Sequence, residues 1–231
     1  MSPNRFKVLL GAAVVLAATI LPAGARPREV SDQQRLVNEA RAAFRHLRDD
    51  PNLPSFRRHE KEALGFLIVP KTVRASFFIG GAGGRAILVA KNDAGTWSGP
   101  SFYRVGMASA GIQAGVDVSE IVVFVMTRRG MDALLAPSVR MGIDASVAAG
   151  PVGVGTGRSP RSTDDFVYYS RSKGLYAGAS LTTATIRPEN DWNTAYYRRP
   201  VSTTDIVVRG SLRNPNARPL LETVEVSVRR S

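Results

Sequence analysis

The chain has 231 residues, 31 Lys and Arg against 19 Asp and Glu, a net charge of +12 and no cysteine. Lack of thiols excludes a disulfide framework, a thiolate metal site, a cysteine nucleophile and a lipoprotein anchor. The length is enough for one sizeable core. The positive charge fits anionic surroundings such as lipid head groups, envelope polyanions or nucleic acid, although 26 of the 31 basic residues are Arg, which composition bias alone can produce.

The first 25 residues read as a secretory signal peptide. Arg5 and Lys7 form a basic start, Val8 to Leu21 is almost wholly apolar, and Ala23-Gly24-Ala25 supplies a small-x-small cleavage site. That apolar run is shorter than the ~20 residues a spanning helix needs. Residues 26–210 then read as one domain and 211–231 as a tail. Ser31 or Asp32 caps a helix whose Leu36, Val37, Ala40, Phe44 and Leu47 share one stripe. Asp49-Asp50-Pro51 ends it, and a second short helix is expected over 56–64, stopped by Gly65.

Strand signals begin at Phe66 and continue through Ala75–Ile79, Ala86–Ala90, Thr96–Val105, Ile121–Met126, Val167–Ser170 and Leu175–Leu181. Asn92-Asp93-Ala94-Gly95 reads as a hairpin turn. Short helices are expected at Met131–Ala136 and Trp192–Tyr197. In the tail, alternation at Val224, Val226 and Val228 reads as an edge strand or a loose arm. Eighteen of the 21 glycines fall between Gly65 and Gly178, within segments rich in Val, Ile, Phe and Tyr. Residues 26–75 carry a net +4 and 76–125 are neutral, so the charge surrounds the glycine-rich strands.

The motifs that resemble catalytic ones fail in context. Gly80-Gly81-Ala82-Gly83-Gly84-Arg85 lacks the Lys-Ser/Thr of a Walker loop and precedes strand-like Ile87-Leu88-Val89 rather than a helix. Ser170-Arg171-Ser172-Lys173 matches S-x-x-K but has neither S-D-N nor K-T-G to accompany it. His46 and His59, the only histidines, read as solvated surface positions, and Asp49-Asp50 and Asp164-Asp165 as capping or turn residues. No metal site or cofactor is expected. Trp97-Ser98-Gly99-Pro100 with Phe102 implies a fixed bend with two aromatic anchors, read as structural.

TWSGPSF at 96–102, preceded by GGAGGRAILV and followed by GIQAGVD, resembles the SYLF domain family, as do AAGPVG at 148–153 and YSRSKGLYAGASL at 169–181. The resemblance covers roughly residues 35–210. It implies an α+β fold, N-terminal helices packed on a glycine-rich, mainly antiparallel sheet or partly closed barrel. It implies no catalytic residues and a lipid-binding role. Basic residues of the helical region would then meet phosphate: Arg41, Arg45, Arg48, Arg57, Arg58, Lys61, Lys71 and Arg74. Arg85 is a separate candidate inside the glycine motif, with Asp117 or Glu120 as its expected partner.

The function expected from sequence is therefore a non-enzymatic exported module, periplasmic or secreted, on anionic, phosphoinositide-like head groups. The alternative is an envelope scaffold holding a polyanion or a protein. Export sets actin and nucleic acid aside as expected partners.

Overall fold

The computed structural model describes residues 30–75, 80–109, 118–150, 160–161, 163–172 and 181–230. The expected signal peptide, the ends of two expected strands (76–79 and 175–180) and the GIQAGVD segment lie outside these residues. The fold described belongs to the unit from Ser31 to Ser231.

Helix α1 spans Asp32–Arg48 and is capped by Ser31, whose hydroxyl accepts from the Gln34 amide at 3.2 Å. Leu36, Val37, Ala40, Ala43, Phe44 and Leu47 form its buried stripe. A short α2 covers Phe56–Glu62. Strands β1 (Gly65–Ala75), β2 (Gly80–Lys91), β3 (Trp97–Ser109) and β4 (Val118–Val125) follow. Then come α3 (Arg128–Leu135), β5 (Val139–Arg140), β6 (Val147–Ala149), β7 (Phe166–Ser172) and β8 (Thr185–Pro188). The chain continues with α4 (Asn190–Tyr197), α5 (Thr203–Val207) and α6 (Arg218–Arg230).

The strands form one sheet in the order β5-β8-β3-β2-β1-β4-β7-β6, antiparallel except for β6 against β7. It curls as half a barrel, and the arrangement is α+β with the N-terminal helices on one face. Alternation along each strand separates two cores. Leu67, Val69, Leu88, Tyr103, Val123 and Phe166 pack beneath α3 and α5. Phe66, Ile68, Ile87, Phe102, Phe124 and Tyr169 pack beneath α1, α2, α4 and α6. In this second core Phe56 meets Phe44, Phe124 and Tyr169 with ring centroids 5.8, 4.8 and 5.1 Å away. The first two are edge-to-face and the third is tilted, and edge-to-face pairs add roughly 0.5–1.5 kcal/mol each beyond their buried area.

Pro70 lies in the central strand β1, where it can donate no ladder hydrogen bond. The register of β1 shifts there against both neighbours, a bulge that sets Lys71 opposite Arg85. The Lys71 carbonyl would lie 2.6 Å from any Cβ built on Gly84, so glycine at 84 is what lets the bulge approach β2. The GGAGG stretch is therefore strand, consistent with its reading as a closely approached strand.

Two side-chain expectations change. His59 is partly buried rather than solvated, with Nδ1 2.7 Å from the Tyr169 hydroxyl, which also donates to Ser55 Oγ at 3.0 Å. Burial pushes the His59 pKa below its ordinary value, with Glu62 working in the opposite direction. Asp165 is a hub rather than a turn residue. Its carboxylate accepts from Thr127 Oγ1 (2.6 Å), Arg129 Nε and Nη2 (3.0 and 2.5 Å) and the Ser146 amide and hydroxyl (2.8 and 2.9 Å). Burial opposes its ionisation, but these hydrogen bonds prevail and pull its pKa down to about 2.

The C-terminal edge strand is corrected to helix α6. Leu220 and Val224 sit four residues apart on its buried face, whereas Val226, in the alternating pattern, is exposed. The valines fit both periods, and the apolar face of a helix has a core to cover here. Asn214 starts the tail's turn by accepting from the Asn216 amide at 3.0 Å.

Candidate anion-binding surface

The basic residues expected to bind phosphate are dispersed over several environments. Arg41 is exposed and its Nε donates to Thr223 Oγ1 of α6 at 2.9 Å. Arg45 is exposed beside a groove of about 580 Å³ that His46, Asp49, Asp50 and Arg171 also line. Arg48 is largely covered, 3.5 Å from Asp49 and 3.9 Å from the fully buried Glu60, and it serves as an internal counter-charge. Arg57, Arg58 and Lys61 are exposed on α2. The Arg74 side chain lies outside the described residues.

Lys71 and Arg85 are directly opposite on β1 and β2. Arg85 is in turn opposite Arg104 on β3, and Arg104 is opposite Arg187 on β8. Opposed residues share a face of the sheet, so four cations lie in register across four adjacent strands, roughly 4.8 Å per step. Beyond β1 the pairing Glu120↔Arg171 continues the charged row through β4 and β7. Among the described residues, five cations of this row are met by two carboxylates. Glu120 lies 2.9 Å from His46 Nδ1, and Glu189, just before α4, takes both Arg85 and Arg104. Like charges directly opposite one another destabilise a sheet, and Glu189 offsets only part of that cost.

The expected partner of Arg85 is thereby corrected. Glu120 is held by His46 on α1, Asp117 lies outside the described residues, and Glu189 is the acid within reach. Arg104 and Arg187 have no distinguishing motif, and Arg171 lies in the YSRSKGLYAGASL segment without standing out as a site residue. The signal that finds them is register: counting outward from the Asn92–Gly95 turn brings Arg104 opposite Arg85, allowing one bulge.

The TWSGPSF side chains serve the fold. Trp97 stacks on Phe66 with ring centroids 5.2 Å apart, and Ser98 Oγ lies 2.7 Å from the Val207 carbonyl. Gly99 has φ +124° and precedes a cis Pro100. Phe102 is fully buried, and its amide donates to Asn193 Oδ1 at 2.8 Å. The Ser55 and His59 side chains both meet the Tyr169 phenol.

A family model described as Ysc84, Las17-binding protein actin regulator, matches residues 106–227. The chain belongs to the Ysc84 (SYLF) family. Among curated relatives, the fission yeast SH3 domain-containing protein PJ696.02 is 30% identical over 156 residues, covering 65% of this chain and 36% of that protein. The human SH3 domain-containing YSC84-like protein 1 is 27% identical over 201 residues, 82% of this chain and 58% of that protein. LAS seventeen-binding protein 3 of budding yeast is 29% identical over 171 residues, 71% of this chain and 37% of that protein. The chain thus spans between about a third and three fifths of these relatives. No solved structure matches. The Ysc84 match contains Arg171, Arg187, Glu189 and Trp192 and runs into α6, beyond the boundary at 210 read from sequence.

These names overturn one expectation. The sequence reading sets actin aside as a partner on the ground of export. The Ysc84 family, however, is described as an actin regulator, and a yeast relative is named for binding Las seventeen.

Proposed function

We propose that this member of the Ysc84 (SYLF) family is a non-enzymatic binding module that associates with anionic lipid head groups through its basic residues, after export directed by its N-terminal segment. The observation that carries the lipid reading is the row Lys71, Arg85, Arg104 and Arg187 in register across four strands. Each cation near an anionic bilayer adds about 1 kcal/mol of attraction. Arg side chains add fork-shaped hydrogen bonding to phosphate. Exposed Arg45, Arg57, Arg58 and Lys61 on the helices extend the positive surface.

Co-sedimentation of the full chain with neutral and anionic vesicles tests this. Binding is expected to need anionic lipid and to fall sharply between 0.1 and 1 M salt, as the screening length shrinks from about 10 to about 3 Å. Equal binding to both vesicle types, or indifference to salt, refutes the reading.

A second reading, favoured by the relatives' names, is a protein partner belonging to the actin-regulating machinery. Co-sedimentation with filamentous actin in the absence of lipid separates the two. Pelleting of the chain with filaments supports the protein reading, and no pelleting removes filamentous actin as that partner.

A further inference from the structure

The Glu189 carboxylate sits among guanidinium groups. Arg85 reaches it with two prongs, Nε to Oε2 at 2.9 Å and Nη2 to Oε1 at 3.3 Å. Arg104 Nη2 reaches Oε1 at 2.5 Å. The Trp192 indole closes one side, its ring centroid 4.0 Å from the Arg85 guanidinium carbon. The acid is covered, with a 12% exposed side chain, while Arg85 and Arg104 are 39% and 65% exposed. Arg187, one strand beyond, is exposed, and its Nε is 3.4 Å from Ser138 Oγ. Two guanidinium groups therefore meet on one carboxylate, and the third, Arg187, stands in register one strand beyond Arg104, so the three span two inter-strand steps, roughly 10 Å.

We infer that Arg85, Arg104 and Arg187 form a subsite for a phosphate monoester, which Glu189 occupies as an internal counter-ion. This rests on the anionic-surface reading above, and it adds the head-group chemistry and a built-in competitor. The Glu189 backbone is anchored, its amide donating to the Phe102 carbonyl at 2.8 Å, so admitting a ligand requires only a side-chain rotation. The exchange is then a matter of charge. A phosphodiester group carries one negative charge and merely replaces that of Glu189. A monoester carries nearly two at neutral pH, with three acceptor oxygens, and can engage Arg187 as well. The subsite therefore discriminates between head groups that a general positive surface would treat alike.

The test uses the full chain and vesicles of phosphatidylcholine carrying either phosphatidic acid, a monoester, or phosphatidylglycerol, a diester, matched for surface charge. The monoester vesicles are expected to bind about tenfold more tightly, equivalent to about one further charge-assisted hydrogen bond. Arg104→Ala with Arg187→Ala should abolish that ratio while leaving diester binding measurable. Glu189→Gln should strengthen binding to both and narrow the ratio. Circular dichroism confirms that the exposed-site variants fold. Equal binding to the two vesicle types by the natural chain, or a ratio unmoved by the double substitution, overturns the subsite.

Thermal stabilisation by inorganic pyrophosphate forms a separate arm. If neither vesicle binds but pyrophosphate stabilises the natural chain and not the double variant, the subsite stands for a free phosphate and the lipid reading falls. If neither vesicle nor pyrophosphate is bound, both fall.

Discussion

Asp165→Asn should be among the most damaging single-atom changes in the domain. The natural carboxylate ties the start of α3, through Thr127 and Arg129, to Ser146 at the entry to β6. Its pKa falls from 3.8 to about 2, which corresponds to about 2.5 kcal/mol of stability at neutral pH. The folded pKa is below the unfolded one, so this contribution is fully present above about pH 4 and is lost as the pH falls through about 2. Arg129 is largely exposed and its share is screened by water, leaving the Thr127 and Ser146 bonds as the larger part. The amide turns one acceptor oxygen into a donor that faces other donors, so a total loss of about 3 kcal/mol is expected at pH 7. In a protein of this size that lowers Tm by about 6–12 °C. Urea unfolding followed by circular dichroism at pH 7 and pH 2 gives both quantities. At pH 2 the folded carboxyl is still half ionised, so the gap between natural chain and variant should shrink by about 2 kcal/mol in acid. A loss below about 1 kcal/mol at pH 7, or a gap unchanged between the two pH values, refutes the hub reasoning.

Three further outcomes follow from the packing. Gly84→Ala puts a methyl group 2.6 Å from the Lys71 carbonyl and should cost about 1–3 kcal/mol by thermal melting; a neutral result would mean that the β1 bulge is easily displaced. Phe56→Ala empties the centre of the aromatic cluster, with an expected loss of about 3–5 kcal/mol in urea unfolding. His59 is favoured in its neutral form by burial, so the unfolded chain binds the extra proton and stability should drop as the pH falls below about 6.5. His59→Gln should flatten that slope, and an identical slope in both chains removes His59 as its source.

Local pattern carried much of the fold. The stripe on α1 is legible because five apolar positions recur at helical spacing and all of them enter one core, shared with the sheet and the other helices on that face. The turn at Asn92–Gly95 is legible because a single side chain organises it: Asn92 Oδ1 accepts from the amides of Ala94 and Thr96. The tail misled because Leu220, Val224 and Val226 satisfy period two and period four in part, and only the neighbouring core decides between them. The cation row was half visible. Lys71 and Arg85 stood out by composition, but their alignment depends on the Pro70 bulge, and Arg187 joins them from about a hundred residues away through the pairing of β3 with β8. Glu189 escaped notice for the same reason: charge partners in a sheet are set by register, which no short stretch of sequence displays.

The meeting of α1 with α6 has a consequence for how the protein is made. Gln34 donates to the Asn216 carbonyl just ahead of α6 and Arg41 to Thr223 within it, so an element made before the described strands is completed by one that follows them. A nascent chain that already holds β1 to β8 still leaves the neighbours of Leu220 and Val224 bare. Burial of that surface must await α6, and during that interval the emerging chain is a client for whatever protects apolar surface in the cell.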